Sequence, residues 1–260
     1  MNSFRFEFED VASSNKAIVA TEHLEQNTWA IKYNKPQFSF AATAWEDLFD
    51  SAFKKASENG ATKIVVRLRT DYEHSKFSNI LSKLDFKIED SRVEFRSEVS
   101  ELPGSDDSPL SWKSCTELKW SEDDLANFVV RVTEGSLYSQ SAASAPAFIS
   151  DWIQHDELSH GMDCIHIAWI ENQPTAICVA QVERETGWSR LAYMGLMPEY
   201  RSRQLGQWVH RHGFTMLRSQ GGVEYVGGTS TANKPMIDLF LKHRCEKLWT
   251  LEEWAYGKTN

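Results

Sequence analysis

The chain has 260 residues, 41% hydrophobic and 25% charged, a composition that fits one large globular domain or two smaller ones. A formal net charge of −9 argues against a nucleic-acid binder and against a protein of anionic membranes, since both need a basic face. No apolar run approaches the roughly 18 residues of a membrane span. The acidic, alternating start MNSFRFEFED does not read as a signal peptide, and we therefore expect a cytoplasmic protein without nucleic-acid or membrane partners.

The cysteines and histidines do not form metal-binding patterns. The four cysteines have no Cys-x-x-Cys spacing, which predicts reduced, buried thiols. His210 and His212 are two residues apart on a predicted helix and therefore do not share a face. We expect no metal site.

The first part of the chain predicts a helix, a glycine stop and a strand over residues 48–70. A second helix follows over 74–86, ending in Leu-Asp-Phe, and a strand over 87–99. The stretch SELPGSDDSPLSW, residues 100–112, concentrates proline, glycine, serine and aspartate. We place a domain boundary there, with one domain over 1–104 and another over 110–260.

The second part predicts alternating strands and helices, the pattern of an α/β unit. Ser121 followed by Asp124 resembles a capping box that opens a helix to about Glu134. Strands are predicted at 111–118, 163–170, 175–185, 188–197, 223–228 and 247–257, and further helices at 145–156, 203–218 and 233–244.

A basic loop, Arg201-Ser-Arg-Gln-Leu-Gly206, separates a predicted strand from a helix. Backbone N–H groups at a helix start have no intrahelical partner, and the helix dipole places positive charge there. A turn into this end can therefore hold a phosphate, and Arg201 and Arg203 add suitable donors. Gly206 lacks a side chain that would block the approach. The simpler interpretation is surface decoration, and the loop is neither a Walker A sequence nor a GxGxxG fingerprint.

Residues 196–206, LMPEYRSRQLG, resemble motif A of the GNAT superfamily of N-acetyltransferases, whose core reads Gln/Arg-x-x-Gly-x-Gly/Ala. Further along, Asn233, Met236 and Cys245 fall at the positions of motif B, Asn-x-x-Met followed by an aromatic residue. The resemblance covers about Leu110 to Gly257. It is strongest to the tandem-domain branch that includes mycothiol synthase-like enzymes.

The resemblance implies an α+β (α/β) fold with two tandem GNAT-like domains, each a mixed sheet flanked by helices. The elements over 48–99 look like a weak repeat of those from Trp208 to Tyr256. This first copy has acids where the basic loop should be, and too little chain before Trp45 for the family's first helices. We expect it to be degenerate, to bind no coenzyme A and to support the second copy.

By the same resemblance, the second domain would bind acetyl-CoA and transfer its acetyl group to a small-molecule amine by direct attack. A backbone N–H on the strand before the loop would polarise the thioester carbonyl. The coenzyme contacts implied are Met194, Gly195, Leu196, Arg201, Ser202, Arg203, Gln204, Leu205, Gly206, Gln207 and Asn233.

The chain departs from the family pattern at the catalytic positions. The usual tyrosine acid falls near Leu239 or Phe240, the glutamate base of some members falls at Arg190, and motif B ends in Arg244-Cys245 where the family has Gly-Phe. Glu183 is a candidate base or a solvated strand end, and Tyr193 is a candidate cleft residue or a core residue.

Two further functions therefore stay open: a non-catalytic acyl-CoA-binding or regulatory protein, and a protein or peptide N-acetyltransferase. The sequence is compatible with a monomer or a homodimer.

Overall fold

The structure is a computed structural model that describes residues 3–10, 15–23, 28–33, 42–70, 74–105, 107–154, 158 and 161–257. No helix within these ranges is both long and apolar enough to cross a membrane. The first strands and helices are β1 (Ser3–Asp10), β2 (Asn15–His23), β3 (Thr28–Tyr33), α1 (Ala42–Glu58), β4 (Lys63–Arg69), α2 (His74–Lys83) and β5 (Lys87–Glu98). The remaining elements are β6 (Ser111–Ser114), α3 (Cys115–Leu118), α4 (Glu122–Thr133), α5 (Ala145–Ile153), β7 (Ile165–Ile170), β8 (Gln173–Val182), β9 (Trp188–Leu196), α6 (Gly206–Ser219), β10 (Glu224–Ser230), α7 (Lys234–Lys242) and β11 (Glu246–Gly257).

Capping residues set two of the helix starts. The Ser121 hydroxyl accepts the Asp124 N–H at 3.1 Å and the Asp124 carboxylate accepts the Ser121 N–H at 2.9 Å, which confirms the predicted capping box of α4. The predicted strand over 111–118 is wrong in its second half. Ser114 and Glu117 form a second capping box, and the chain turns into α3 because these two side chains satisfy its first N–H groups.

Contacts divide the chain into two compact units that do not follow the predicted linker. The first unit comprises residues 1–93, 230–232 and 249–260, and the second comprises 94–229 and 233–248. The segment 94–104, which we assigned to the first domain, therefore packs with the second unit. The domain ranges 1–104 and 110–260, drawn at the linker, stay a prediction.

The first unit is built on a mixed sheet with the strand order β1-β2-β3-β4-β11. Strand β3 pairs with β4 in parallel, whereas β11 pairs with β4 antiparallel over Leu251–Gly257. Its core is aromatic: Trp45 and Phe49 lie 5.1 and 5.8 Å from the Phe77 ring, and Trp254 of β11 belongs to the same cluster. The last strand of the sequence is therefore part of the first unit's core.

The second unit has the strand order β10-β9-β8-β7-β6 with helices on both faces. Ile177 and Val179 of β8 pack in one cluster with α4 and α5. Cys178, between them, faces α6, where the absence of a side chain at Gly213 leaves room for it and for Leu191. This alternation follows from the two-residue period of a strand.

Both copies of the repeat are present. Strands β1-β2-β3 followed by α1-β4-α2-β5 repeat the order β7-β8-β9 followed by α6-β10-α7-β11. Helices α2 and α7 also end alike, since Phe86 N–H bonds to Leu81 C=O and Cys245 N–H bonds to Phe240 C=O. Within the described ranges, the first copy comprises β1–β5 with α1 and α2.

Candidate functional site

A cleft opens between the parallel strands β9 and β10. The two strands pair only at Trp188 with Glu224 and at Ser189 with Tyr225, so seven residues of β9, 190–196, extend beyond the ladder. On its other edge β9 pairs with β8, and a bulge at Ala192 interrupts this ladder. Bulges bend a strand and increase its twist. The backbone groups on the open edge of β9 are therefore available to a peptide-like ligand.

The candidate coenzyme strand residues lie along this open edge. Met194, Gly195 and Leu196 pair with Cys178, Ile177 and Ala176 of β8, so only their β8-facing backbone groups are used by that ladder. Gly195 has a steric reason to lack a side chain, because an added Cβ would lie 2.9 Å from the Tyr193 hydroxyl oxygen.

The loop at the end of β9 has the backbone form of an anion site. Ser202 and Gln204 have φ values of 61° and 59°, a left-handed conformation that favours glycine. Leu205 follows in the right-handed helical region, and this alternation turns successive N–H groups toward one point. No side chain caps the start of α6. Gln204 thus has a backbone conformation that favours glycine, the residue at this position of the motif that the loop resembles.

The two loop arginines have different surroundings. Arg201 folds back, donating from Nε to Leu196 C=O at 3.0 Å and from a terminal nitrogen to Val132 C=O at 3.0 Å. It therefore connects the loop to the last turn of α4, where its positive charge also interacts favourably with the helix dipole. Arg203 is exposed and stacks over the Tyr200 ring at 5.2 Å. Of the two side chains, Arg203 is the one free to meet a phosphate.

Gly206 and Asn233 have structural roles beside their predicted ones. An added Cβ at Gly206 would lie 3.4 Å from Leu239, so the glycine allows α6 and α7 to pack closely. Asn233 caps α7: its amide oxygen accepts the Met236 N–H at 3.4 Å and its nitrogen donates to Thr229 Oγ1 at 2.9 Å. Contacts of either residue with the coenzyme stay predictions.

Tyr193 lies at the cleft inside an aromatic cluster. Its ring stacks on Trp152 at 5.6 Å and meets the Phe148 ring edge-on at 5.5 Å. Burial raises the pKa of Tyr193 to about 12, although Arg201 and a hydrogen bond with Ser136 oppose this shift. The phenol is therefore neutral at pH 7 and acts as a hydrogen-bond donor, not as a base.

Glu183 lies away from Tyr193, in the turn between β8 and β9. Its carboxylate accepts a bond from the Thr186 hydroxyl, and its backbone closes the turn with Gly187 and Trp188. Val179 pairs with Tyr193, and Glu183 lies four residue steps beyond Val179, about 13 Å at roughly 3.3 Å per step. The geometry therefore gives Glu183 a turn-closing role and does not join it to Tyr193.

Arg190 occupies the position at which some GNAT enzymes carry a glutamate base. It donates to Gln181 Oε1 at 2.9 Å and to Asp151 Oδ2 at 3.1 Å. Gln181 is fully buried and in turn donates to Trp152 C=O at 3.4 Å. These bonds hold α5 against β9 on the same face as Tyr193.

The second unit also contains buried histidines that the sequence did not assign to any site. His210 and His243 approach at 2.9 Å between their Nδ1 atoms, and His210 Nε2 lies 3.2 Å from the Tyr225 hydroxyl. His243 also lines a pocket of about 340 Å³ with Glu101, Pro103, Gln207, Arg211, Lys242 and Arg244. The sequence contained one signal for this pocket. Arg244 stands where the GNAT motif has the glycine of its Gly-Phe ending.

Solved structures share this architecture. A GCN5-related N-acetyltransferase from Sphaerobacter thermophilus superposes with a TM-score of 0.69 at 9% identity, over 95% of this chain and 80% of that one. A tandem GNAT protein from the clavulanic acid biosynthesis pathway gives 0.62 at 8% identity, over 99% and 85% of the chains. A GCN5-related N-acetyltransferase from Kribbella flavida gives 0.62 at 11% identity, over 93% and 87%.

The chain therefore has the tandem form of the GNAT acetyltransferase fold. In the second unit, the candidate site consists of the splayed strands β9 and β10, the bulge in β9 and the loop that opens α6. No protein-family model matches the chain, and no curated protein sequence does. At these identities the comparisons establish the fold, and the function is inferred from the site.

Proposed function

We propose that the chain is an N-acetyltransferase whose second unit binds acetyl-CoA and acetylates the primary amine of a small molecule. The observation that carries this proposal is the cleft between β9 and β10, which leads from Tyr193 to the left-handed turns at Ser202 and Gln204. A pantetheine arm would bond to the open edge of β9, and a pyrophosphate would meet the N–H groups at the start of α6.

Residues of the chain itself fit this coenzyme. The residues that would hold it are Met194, Gly195, Leu196, Ser202, Arg203, Gln204, Leu205, Gly206 and Gln207, with Asn233 close by. Arg201 would act indirectly, since its bonds to Leu196 and Val132 set the shape of the loop. In the first unit, by contrast, four residue pairs join β3 to β4, from Thr28–Lys63 to Ile31–Val66, which leaves only Lys32 and Tyr33 of β3 beyond the ladder. We therefore expect one coenzyme site per chain, in the second unit.

The coenzyme would supply an acyl thioester, and the chain would orient it and exclude water. N–H groups on the open edge of β9 would donate to the thioester oxygen. The Tyr193 hydroxyl lies beside Gly195 and is a neutral donor at physiological pH. Direct attack by an amine requires this arrangement and no covalent intermediate on the protein.

A binding experiment tests the proposal. Calorimetry with acetyl-CoA should give one site per chain, and binding should weaken as salt increases. Arg203→Glu should weaken the affinity roughly tenfold to a hundredfold, because it removes a charge-assisted hydrogen bond. Lys113→Ala, an exposed charge loss on β6, should not change it. Two equivalent sites, or no binding, would refute the proposal.

A second candidate function is non-catalytic acyl-CoA binding. It is favoured by the position of the usual acid, where Phe240 is buried and neither it nor Leu239 can donate a proton. Thiol release from acetyl-CoA in the presence of polyamines, amino acids, aminoglycosides and peptides separates the two. An enzyme should exceed the rate without protein by several orders of magnitude. Binding without turnover across this panel would favour the regulatory function, and turnover of peptides alone would favour a peptide acetyltransferase.

A further inference from the structure

A basic pocket of about 340 Å³ lies at one side of α6 in the second unit. Three cationic side chains line it, Arg211, Lys242 and Arg244, against one carboxylate, Glu101. None of the three cations takes part in an ion pair with a residue of the described ranges. This excess of positive charge is unusual in a chain of net charge −9, and it predicts an anionic ligand.

The cations are held in place by the surrounding structure. Arg211 donates to Gly104 C=O and lies over the Trp208 ring at 4.7 Å, and Lys242 Nζ donates to Gln207 Oε1 at 2.5 Å. Burial, together with the charges of Arg211 and Lys242, lowers the pKa of His243 to about 4. His243 is therefore neutral at pH 7, and the positive charge of the pocket comes from the three cationic side chains.

Arg244 occupies a position that favours glycine. Helix α7 ends in a Schellman motif, with Cys245 N–H bonded to Phe240 C=O at 2.9 Å and Arg244 N–H bonded to Leu241 C=O at 3.0 Å. The residue after the cap in this motif is left-handed and is usually glycine. Arg244 has φ = 61° there and carries a long charged side chain into the pocket. Left-handed non-glycine residues occur often at ligand-binding sites, which makes the Arg244 side chain a candidate ligand contact.

One residue of the pocket adjoins the candidate coenzyme loop. Gln207, the second residue of α6, follows the loop directly and also lines the pocket. In coenzyme A the 3′-phosphate is carried by the ribose that bears the pyrophosphate. If the pyrophosphate of coenzyme A binds at the start of α6, the 3′-phosphate on the same ribose would therefore lie near Gln207 and the pocket.

We propose that Arg211, Lys242 and Arg244 form a binding site for the 3′-phosphate of coenzyme A, so that this chain distinguishes the coenzyme from its dephospho form. This proposal rests on the proposed function, because it assumes that the second unit binds coenzyme A. It adds a specificity determinant, Arg244, at a position where the GNAT motif has no side chain.

Calorimetry with coenzyme A and with 3′-dephospho-coenzyme A tests the proposal without needing the acceptor amine. The wild-type chain should bind coenzyme A about tenfold or more tightly, the scale of one or two charge-assisted hydrogen bonds. Arg244→Gly should remove most of this preference, because it should lower the affinity for coenzyme A and leave the affinity for 3′-dephospho-coenzyme A unchanged. It should also raise the thermal midpoint, because it removes the left-handed arginine.

Asp85→Gly is the matched control. Asp85 has φ = 63° and ends α2 in the first unit with the same hydrogen bonds, so its replacement should raise the midpoint and leave the preference unchanged. Two results would overturn the proposed 3′-phosphate site and leave the proposed function intact. One is equal affinity of the wild type for the two coenzymes, and the other is an equal loss of affinity for both coenzymes in Arg244→Gly. Binding of neither coenzyme would overturn both. Competition by inorganic phosphate as strong as that by adenosine 3′,5′-bisphosphate would assign the pocket to free phosphate instead.

Discussion

At the scale of single residues, His210 is a buried base that the protein keeps neutral. It is fully buried, and burial and the neighbouring His243 lower its pKa well below the usual value. In the 2.9 Å contact with His243 one ring must donate and the other accept. The pair is therefore compatible with neutral rings and is lost when both are protonated.

We therefore predict that the free energy of unfolding decreases as the pH falls. The folded pKa of His210 lies below the unfolded value of about 6.5, so the unfolded chain binds more protons once the pH drops below that value. The free energy of unfolding should therefore decrease between pH 7 and pH 5, by at most about 2 kcal/mol through His210, a limit set by its unfolded pKa. Urea titrations at the two pH values measure this decrease.

His210→Leu supplies the comparison for that experiment. The variant should be less stable at pH 7, because the Tyr225 hydroxyl and His243 lose their partner. Its stability should nevertheless depend less on pH than that of the wild type. The same dependence in both chains would show that other groups, and not His210, cause the acid sensitivity.

At the scale of elements, the turn into α6 stores backbone strain at Gln204. This residue is exposed and left-handed, so Gln204→Gly should raise the free energy of unfolding by about 1 kcal/mol. Acetyl-CoA affinity should stay within about twofold, because the backbone N–H groups remain. Denaturant titration measures the first effect and calorimetry the second.

Gln204→Ala keeps the left-handed strain and is the matched variant. It should leave the stability near the wild-type value or below it. A loss of stability in Gln204→Gly would instead mean that the glutamine side chain makes contacts that outweigh the strain.

Local signals explain which elements were predictable. The helix after Ser121, the glycine stop at Gly60 and the basic loop all have sequence signatures within a few residues, and the structure has these elements near the predicted bounds. The strand over 111–118 was overestimated because the capping box of Ser114 competes with the β-pattern of its neighbours. The loop was recognisable as a candidate anion site, whereas the different roles of Arg201 and Arg203 were not predictable. The bonds of Arg201 to Leu196 and Val132 depend on distant packing.

At the scale of the whole molecule, the position of β11 was not predictable. Strand composition predicts that residues 247–257 are extended, but nothing local specifies that Leu251–Gly257 pair with β4. The pocket near Arg244 also depends on chain segments far apart, since Glu101 and Pro103 join α6 and α7 there. Both features follow from tertiary pairing, which sequence periodicity does not encode.

Trp254 tests the contribution of β11 to the first unit. Its side chain is 6% exposed in the core cluster, so Trp254→Ala should cost about 3–5 kcal/mol. Trp249→Ala, on the same strand, should cost less, because Trp249 is half-buried and stacks on Arg69 at 3.9 Å. Thermal unfolding of the two variants measures the difference. Equal losses would mean that β11 does not complete that core.

The pairing of β11 with β4 also has a consequence for biosynthesis. Arg69 pairs with Leu251, 182 residues later (251 − 69), and a ribosome adding about 5–20 residues per second needs roughly 10–40 s to make that segment. During this interval the nascent β4 has no β11 partner and exposes a template for aggregation. Its sequence, KIVVRLR, places Lys63, Arg67 and Arg69 around four apolar residues. Charged side chains within such a strand oppose its association with other strands, so we expect these three cations to help keep the growing chain soluble until its last strand is synthesised.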